Sequence, residues 1–462
     1  MAGAFRSGSL GRMSAPRTAA RTEALTGWGR TMSTVATVVP AIHENEMASY
    51  IREANSRGVL ARGLGRSYGD AAQSGGATVF DMTTYNNFSL DQATMTLTAQ
   101  AGASIDDILR EIVPLGFFVP VTAGTRIITV GGAIAADIHG KNHHRDGSFG
   151  AHVLEITLLD GAGVVHTYTG NDPEFWATIG GMGLTGVILS ATFTVIPIQS
   201  SYITVDTERA KNLDDVMSRM IERDHEYKYS VAWIDTVATS GRGVITRGDH
   251  ATAEQCMQDG VTNYFDYDPK NIATAPGLVP SGLLNRWSVR AFNEGWYRKH
   301  PTHRTGELQR LGAFFHPLDG VQEWNRIYGP KGFLQYQFQV PDSAGYLVGH
   351  TLQKLREVGA LSFLTVLKRF GPGNQAPLSF PQSGWTLAAD VPAGVDGLGR
   401  TLDELDALIA AEGGRLYLAK DSRQSPTNFA RTYPRLNDWR EIRDRMDPNR
   451  VFTSDLSRRL AI

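Results

Sequence analysis

Two glycine clusters and a few dispersed polar residues carry the chemistry this sequence can do. Ala61-Arg-Gly-Leu-Gly-Arg-Ser-Tyr-Gly-Asp70 combines backbone freedom with positive charge. Gly63, Gly65 and Gly69 permit conformations closed to other residues, so successive N–H groups can converge on an anion. Arg62 and Arg66 add charge and Ser67 a hydroxyl donor. A pyrophosphate is the natural guest, although such a loop taken alone is more often a plain turn. Gly124-Thr-Arg-Ile-Ile-Thr-Val-Gly-Gly-Ala-Ile-Ala-Ala136 has almost no bulk around Gly131, Gly132 and Ala133. Small residues in series let a backbone approach a planar ring. His139-Gly-Lys-Asn-His-His144 follows directly; its H-x-x-x-H spacing could start a zinc site, but no further ligand is evident and a polar turn is the simpler reading.

Gln335, Gln337 and Gln339 alternate with Tyr336, Phe338 and Val340, which in a strand puts the amides on one face and the bulk on the other. Lys420 follows a short predicted strand; a lysine there is a surface residue more often than a catalytic one.

Gly181-Met-Gly183-Leu-Thr-Gly186 spells the dinucleotide fingerprint, but that reading needs a strand before it and a helix after it. Here Phe-Trp-Ala-Thr-Ile before it reads as helix and Val187–Ile196 as strand, so it is a glycine-rich turn. The elements that must position these groups follow from periodicity. Thr94–Ala101 alternates as a half-buried strand. Ser104 opens a helix with a buried stripe of Ile105, Ile108, Leu109 and Ile112. Further strands are predicted over Leu154–Asp160 and Val164–Tyr168. After Pro197 come a helix over Leu213–Asp224, strands over Tyr229–Ile234 and Phe333–Val340, and helices over Ser343–Val358 and Leu402–Ala411, the last closed by Gly413-Gly414. The stretch 266–301 shows no periodicity and reads as a mobile loop or lid, with Ile272, Leu278, Val279, Leu283 and Leu284 suited to a greasy ligand or membrane surface.

With 462 residues the chain exceeds one comfortable core, so two domains are expected. Forty-five basic residues against 47 acidic ones argue against nucleic acid as a partner. The single cysteine, Cys256, excludes an internal disulfide and any cysteine-based metal cluster. No apolar run reaches the roughly 20 residues that span a bilayer. Residues 1–30 lack a secretory core and read as a flexible tail. A cytoplasmic or peripheral inner-membrane position is expected, with the cell envelope left open.

The segments Ala-Arg-Gly-Leu-Gly-Arg-Ser-Tyr-Gly-Asp, Val-Gly-Gly-Ala-Ile, Ile-His-Gly-Lys-Asn-His-His and Gly-Met-Gly-Leu-Thr-Gly resemble the FAD-binding domain of the vanillyl-alcohol-oxidase family. So do Phe333–Phe338, Asn374–Pro381, Gly414–Arg423 and Asp447–Phe452, and the likeness runs from about Leu25 to Leu460. It implies an α+β, two-domain fold: FAD-binding over 31–197, an antiparallel-sheet substrate domain over 198–414, and a return to the FAD domain over 415–462. It implies non-covalent FAD, its pyrophosphate held by Arg62, Gly63, Leu64, Gly65, Arg66, Ser67, Tyr68 and Gly69. Gly124, Thr125, Val130, Gly131, Gly132, Ala133, Ala136, His139, Gly140, Ile188 and Tyr417 would line the ring and ribityl chain. His139 stands where some members attach flavin covalently.

The implied reaction is C2′ oxidation of a polyprenyl-phosphoryl ribose for cell-wall arabinan, with a soluble polyol or aldonolactone oxidase as the alternative. Lys420 and Tyr68 would be catalytic. Lys141, Trp233, Phe315, Gln335, Gln337, Lys368, Thr386, Ala388 and Lys420 would meet substrate. An NAD(P)H-dependent keto-reductase, a quinone-like electron acceptor and a peripheral membrane contact would be partners; no metal is implied. The chain departs from its relatives at Ala388 (often cysteine), Thr386 (asparagine), Phe315 (tyrosine) and Val231 (serine).

Overall fold

Three sheets of four or more strands organise the computed structural model, which describes residues 19–277 and 285–462. The first orders Arg21–Thr26, Ser33–Pro40, Thr78–Asp81 and Val59–Arg62. Its last two pairings are parallel, and the glycine loop leaves the carboxyl end of Val59–Arg62, the side on which open sheets present ligand sites. Arg21–Thr26 corrects the expected tail. That strand is mostly polar, and Leu25 alone joins the small core of Ala36, Val38, Leu60 and Val79, so composition concealed it.

The second sheet is antiparallel, in the order Phe88–Asp91, Thr96–Gln100, Val187–Thr194, Val153–Leu159, Val165–Thr169. The helix Ile105–Ile112 begins where the Ser104 hydroxyl accepts the Asp107 amide at 3.0 Å, and it buries Ile105, Ile108, Leu109 and Ile112. The short helix Val130–Ala135 lies so close to this sheet that a Cβ on Gly131 would sit 2.8 Å from that of Ala101. The Gly181–Gly186 turn joins the helix Pro173–Thr178 to the strand Val187–Thr194, the reverse of a dinucleotide fold.

The third sheet has eight antiparallel strands: His303–Arg310, Tyr202–Ala210, Gly243–His250, Tyr229–Ile234, Thr365–Phe370, Gly384–Pro392, Phe333–Val340 and Arg415–Leu416. Alternation fixes its two faces. Tyr336, Phe338 and Val340 join the core beneath the helices Leu213–Arg223, Tyr346–Glu357 and Leu398–Ala411, and Gln335 and Gln337 face the other way, into a cavity.

Most of the second half of 266–301 is the helix Arg286–Lys299, capped by Asn285, not a loop. Only Val289 and Asn293 in it are fully buried, which left no apolar stripe to read. Ala273–Thr274 forms a short parallel pair with Val321–Gln322. Ile272 is exposed; Leu278, Val279, Leu283 and Leu284 lie outside the described residues.

After Arg415–Leu416 the chain packs back onto its first half. Trp439 Nε1 donates to Ala177 O at 2.9 Å, and Arg443 to Leu184 O and Phe452 O. Arg459 clamps the glycine loop: it donates twice to Asp70, at 2.8 Å each, and also to Asp421 and Gln424 O. Asp70 and Asp421 are buried, so losing their cation is costly. Arg459→Ala should cost about 3 kcal/mol, seen as a lower unfolding midpoint, whereas Glu441→Ala on the exposed face of Leu436–Met446 should leave the midpoint within about 0.5 kcal/mol of the parent.

Candidate active site

The second and third sheets enclose a cavity of about 790 Å³. The glycine loop closes one end, Gly124–Thr129, Gly131, Gly132, Ala135 and Ala136 form its floor, and the eight-stranded sheet forms its roof.

At the loop, Gly65 has φ +64°, and a Cβ there would lie 2.3 Å from the Arg62 guanidinium. A Cβ on Gly63 would lie 2.3 Å from Thr129 Oγ1. The Tyr68 amide is committed to Ala419 O at 2.8 Å. The amides of Leu64 to Ser67 make no backbone hydrogen bond among the described residues, so they are free to converge on an anion. Arg66 lies 4.0 Å over the Trp28 ring, its Nε buried and without a partner. Added Cβ atoms on Gly124 and on Gly183, from the G-x-G-L-T-G turn, would meet nothing within 4 Å; both border the open cavity. Bare amides, an orphaned arginine nitrogen and a floor stripped of side chains fit a pyrophosphate joined to a flat ring.

Several expected positions are elsewhere. Arg62 folds under the loop, donating to Ala72 O and Thr26 O, and is a brace. Gly69 packs against Asp421 O. Val130 and Ala133 are fully buried in the core, on the far side of their helix. Gly140 packs on Thr122 O and Asn142. Thr386 lies behind Gln337, accepting from its amide at 3.3 Å while donating to Phe338 O at 2.8 Å. Gly63, Leu64, Gly65, Arg66, Ser67, Tyr68, Gly124, Thr125, Gly131, Gly132, Ala136, His139, Ile188 and Tyr417 do line the cavity. Tyr417 is fixed by donating to Ala136 O at 2.9 Å.

From the roof and the far wall come Lys141, Trp233, Phe315, Gln335, Gln337, Lys368, Ala388 and Lys420. The three lysines meet little water, and desolvation opposes their charge. Burial lowers Lys141 to about 7, helped by the nearby Lys368 charge; its Nζ donates to Phe314 O. Burial also lowers Lys368 to about 8. Lys420, lying 3.7 Å over the Tyr68 ring, is lowered to about 7 by burial and by Lys368, against the pull of Asp390.

Asp390 is the residue that sequence reading missed. It is fully buried and faces Gln335, whose amide donates to Oδ1 at 2.5 Å and to the Tyr68 hydroxyl at 3.3 Å. Oδ2 has no hydrogen-bond partner among the described residues, and burial raises the carboxyl to about 7. The signal was present: one acid in the otherwise uncharged strand Gly384–Pro392. Its partners lie far off in the chain.

The three histidines do not converge. His139 is held neutral by burial, its Nδ1 3.1 Å from Lys368 Nζ and its Nε2 3.0 Å from the Gln337 amide. His144 Nε2 faces Tyr227 O, while His143 packs on Phe370. Among the described residues no group of histidine, cysteine and acidic side chains could hold a metal.

A family model described as an FAD binding domain matches residues 35–169, and one described as D-arabinono-1,4-lactone oxidase matches 398–460. The chain is thus an FAD-dependent oxidoreductase of the vanillyl-alcohol-oxidase type. It is 43% identical, over 96% of its length and 98% of the relative's, to decaprenylphosphoryl-β-D-ribose oxidase of Mycolicibacterium smegmatis. It belongs to that family. It is 39% identical, over 76% of its length and 98% of the relative's, to an uncharacterised Streptomyces coelicolor protein of the mprA 5′ region. To L-gulono-1,4-lactone dehydrogenase of Mycobacterium tuberculosis it is 22% identical over 92% of its length and 95% of the relative's.

Gly65→Val should abolish cofactor retention through Arg62, because a β-branched side chain at positive φ displaces the guanidinium that braces the loop. The variant should purify with the parent's circular dichroism but without the flavin absorbance band; full flavin content would refute the bracing role.

Proposed function

We propose that the protein oxidises the C2′ hydroxyl of decaprenylphosphoryl-β-D-ribose to the 2′-ketone. The observation that carries this is the set of enclosed lysines, Lys141 and Lys368 as anion-binding groups and Lys420 beside them, next to amides on the roof of the cavity. Buried cations without an equal number of buried anions call for an anionic ligand, and a phosphodiester-linked sugar supplies the charge and the hydroxyls together. The name of the mycobacterial relative supports the same substrate.

FAD, when bound, supplies the two-electron acceptor for the hydride that leaves C2′. The residues of this chain have the remaining tasks. Gln335 and Gln337 offer amides to ring hydroxyls, and Thr386 and His139 hold Gln337 in place. Lys420, neutral above about pH 7, takes the hydroxyl proton as the C–H bond breaks and the carbonyl forms. Asp390 sits behind it as the counter-charge once it is protonated. Burial pushes the Tyr68 phenol well above its ordinary value, so it serves as a neutral hydrogen-bonding platform under the lysine. Both His139 nitrogens are engaged, which favours non-covalent FAD.

On this reading 21–197 and 415–462 form the cofactor domain, with Arg21–Thr26 its first strand, and 198–414 the substrate domain. The product passes to an NAD(P)H-dependent keto-reductase for cell-wall arabinan synthesis, and a quinone-like acceptor reoxidises the flavin. No described helix is long and apolar enough to cross a membrane, and a peripheral contact brings the enzyme to its lipid. The match of 398–460 to a lactone oxidase model favours an aldonolactone as second reading, but a neutral lactone leaves the lysines unanswered. Anaerobic titration decides: bleaching by the lipid-linked ribose and not by aldonolactones is expected, and the reverse would overturn the proposal.

Acid precipitation should release the yellow cofactor into the supernatant; a yellow pellet would mean a covalent link, with His139 the residue to examine. Lys420→Ala should keep FAD and slow flavin reduction at least about 100-fold. In the parent, reduction should rise with pH through about 7 as Lys420 loses its proton. Asp390→Asn removes the carboxylate that favours the ammonium form, so that limb should move to lower pH. A limb that stays put, or moves up, would separate Asp390 from Lys420.

A further inference from the structure

The roof of the site continues well past the sugar position. Gln337 pairs with Ala388, Ala388 with Val366, Val366 with Trp233, and Trp233 with Val244. Directly opposed residues share a sheet face, and all five line the one cavity. A second row, Val231, Thr246 and Thr207, runs beside its outer end and lines the same space. At about 4.8 Å per strand, the four steps from Gln337 to Val244 span roughly 19 Å.

The chemistry changes along the row. Its inner end lies among Lys368, Lys420 and the amides, and Lys141 stands opposite on the Phe314 ring, 4.0 Å away. Outward of Val366 the described sheet residues lining the cavity carry no charge. Trp233 is fixed there by donating from Nε1 to Phe363 O at 3.0 Å, and Trp296 closes the lobe from the helix Arg286–Lys299. Val231 and Phe315, where this chain carries apolar residues in place of serine and tyrosine, both line the cavity.

We propose that this outer lobe is the channel for the first isoprene units of the substrate's lipid: the three strand steps outward from Val366 to Thr207 span roughly 14 Å, room for about three units. The inference rests on the proposed substrate and extends it. A ligand with its phosphate among the lysines and its sugar under Gln335 and Gln337 sends its tail outward, and cations followed by an uncharged wall of Val231, Trp233, Val244, Thr246 and Thr207 match an anion followed by hydrocarbon. Units beyond the third leave the protein and add little to binding.

Two experiments on the holoenzyme test this. With ribosyl phosphates esterified to geranyl, farnesyl, geranylgeranyl and heptaprenyl alcohols, KM should fall with each unit to about three and then level, with kcat flat. Thr246→Trp, which obstructs the outer end, should raise KM at least 10-fold for the geranylgeranyl ester and leave the geranyl ester within twofold. A KM independent of length, or an equal effect of Thr246→Trp on every ester, would overturn the channel. Calorimetric binding of geranyl and geranylgeranyl phosphate separates the channel from the chemistry. At least 10-fold tighter binding of the longer phosphate is expected, and equal affinity overturns the channel. If no ester reduces the flavin, the substrate reading fails, and the phosphate comparison still decides the lobe.

Discussion

Enclosed positive charge is the constraint that shapes the catalytic half of this molecule. An ammonium group removed from water loses several kcal/mol of solvation unless something replaces it. Here the replacements are built into distant parts of the chain: Phe314 O for Lys141, the His139 ring for Lys368, and the Tyr68 ring and Asp390 for Lys420. None is a complete ion pair, and that incompleteness leaves room for an anionic ligand. Asp390 shows the same economy. Burial brings both its carboxyl and the Lys420 ammonium to about 7, and each group opposes that shift in the other by favouring its charged form.

Holding such groups demands a stiff frame, and the eight-stranded sheet supplies it. Its period of two divides labour without ambiguity: one face is packed by three helices and the other is the wall of the site. A one-residue slip would exchange amides for aromatics, so the apolar face that stabilises the domain also sets the register of the polar one. The glycine-lined half works by subtraction. Gly131 admits a helix onto a strand, and Gly124 and Gly183 leave the floor bare.

The sequence disclosed these features unevenly. Periodicity exposed the strand Phe333–Val340 and the stripe of Ile105–Ile112 because one face of each is buried. It failed at Arg286–Lys299, which buries little, and at Arg21–Thr26, whose core contribution is a single leucine. The glycine loop's place beside the cavity was legible, but the position of Arg62 was not: charge in such a loop reads as a ligand contact, and only its folding under the chain toward Thr26 O and Ala72 O shows a brace. Asp390 was hidden because its meaning depends on Gln335 and Lys420, brought to it by pairing that a local reading cannot see.

The clamp between Arg459 and Asp70 joins residues 389 positions apart in sequence. The glycine loop is therefore held in shape by a segment remote from it in the chain, and a ligand that binds only the clamped form adds its binding energy to the native state alone. Cofactor retention and the integrity of the C-terminal helix are thereby linked: whatever loosens Arg459 from Asp70 is felt at the glycine loop, and whatever fills the loop tightens the clamp.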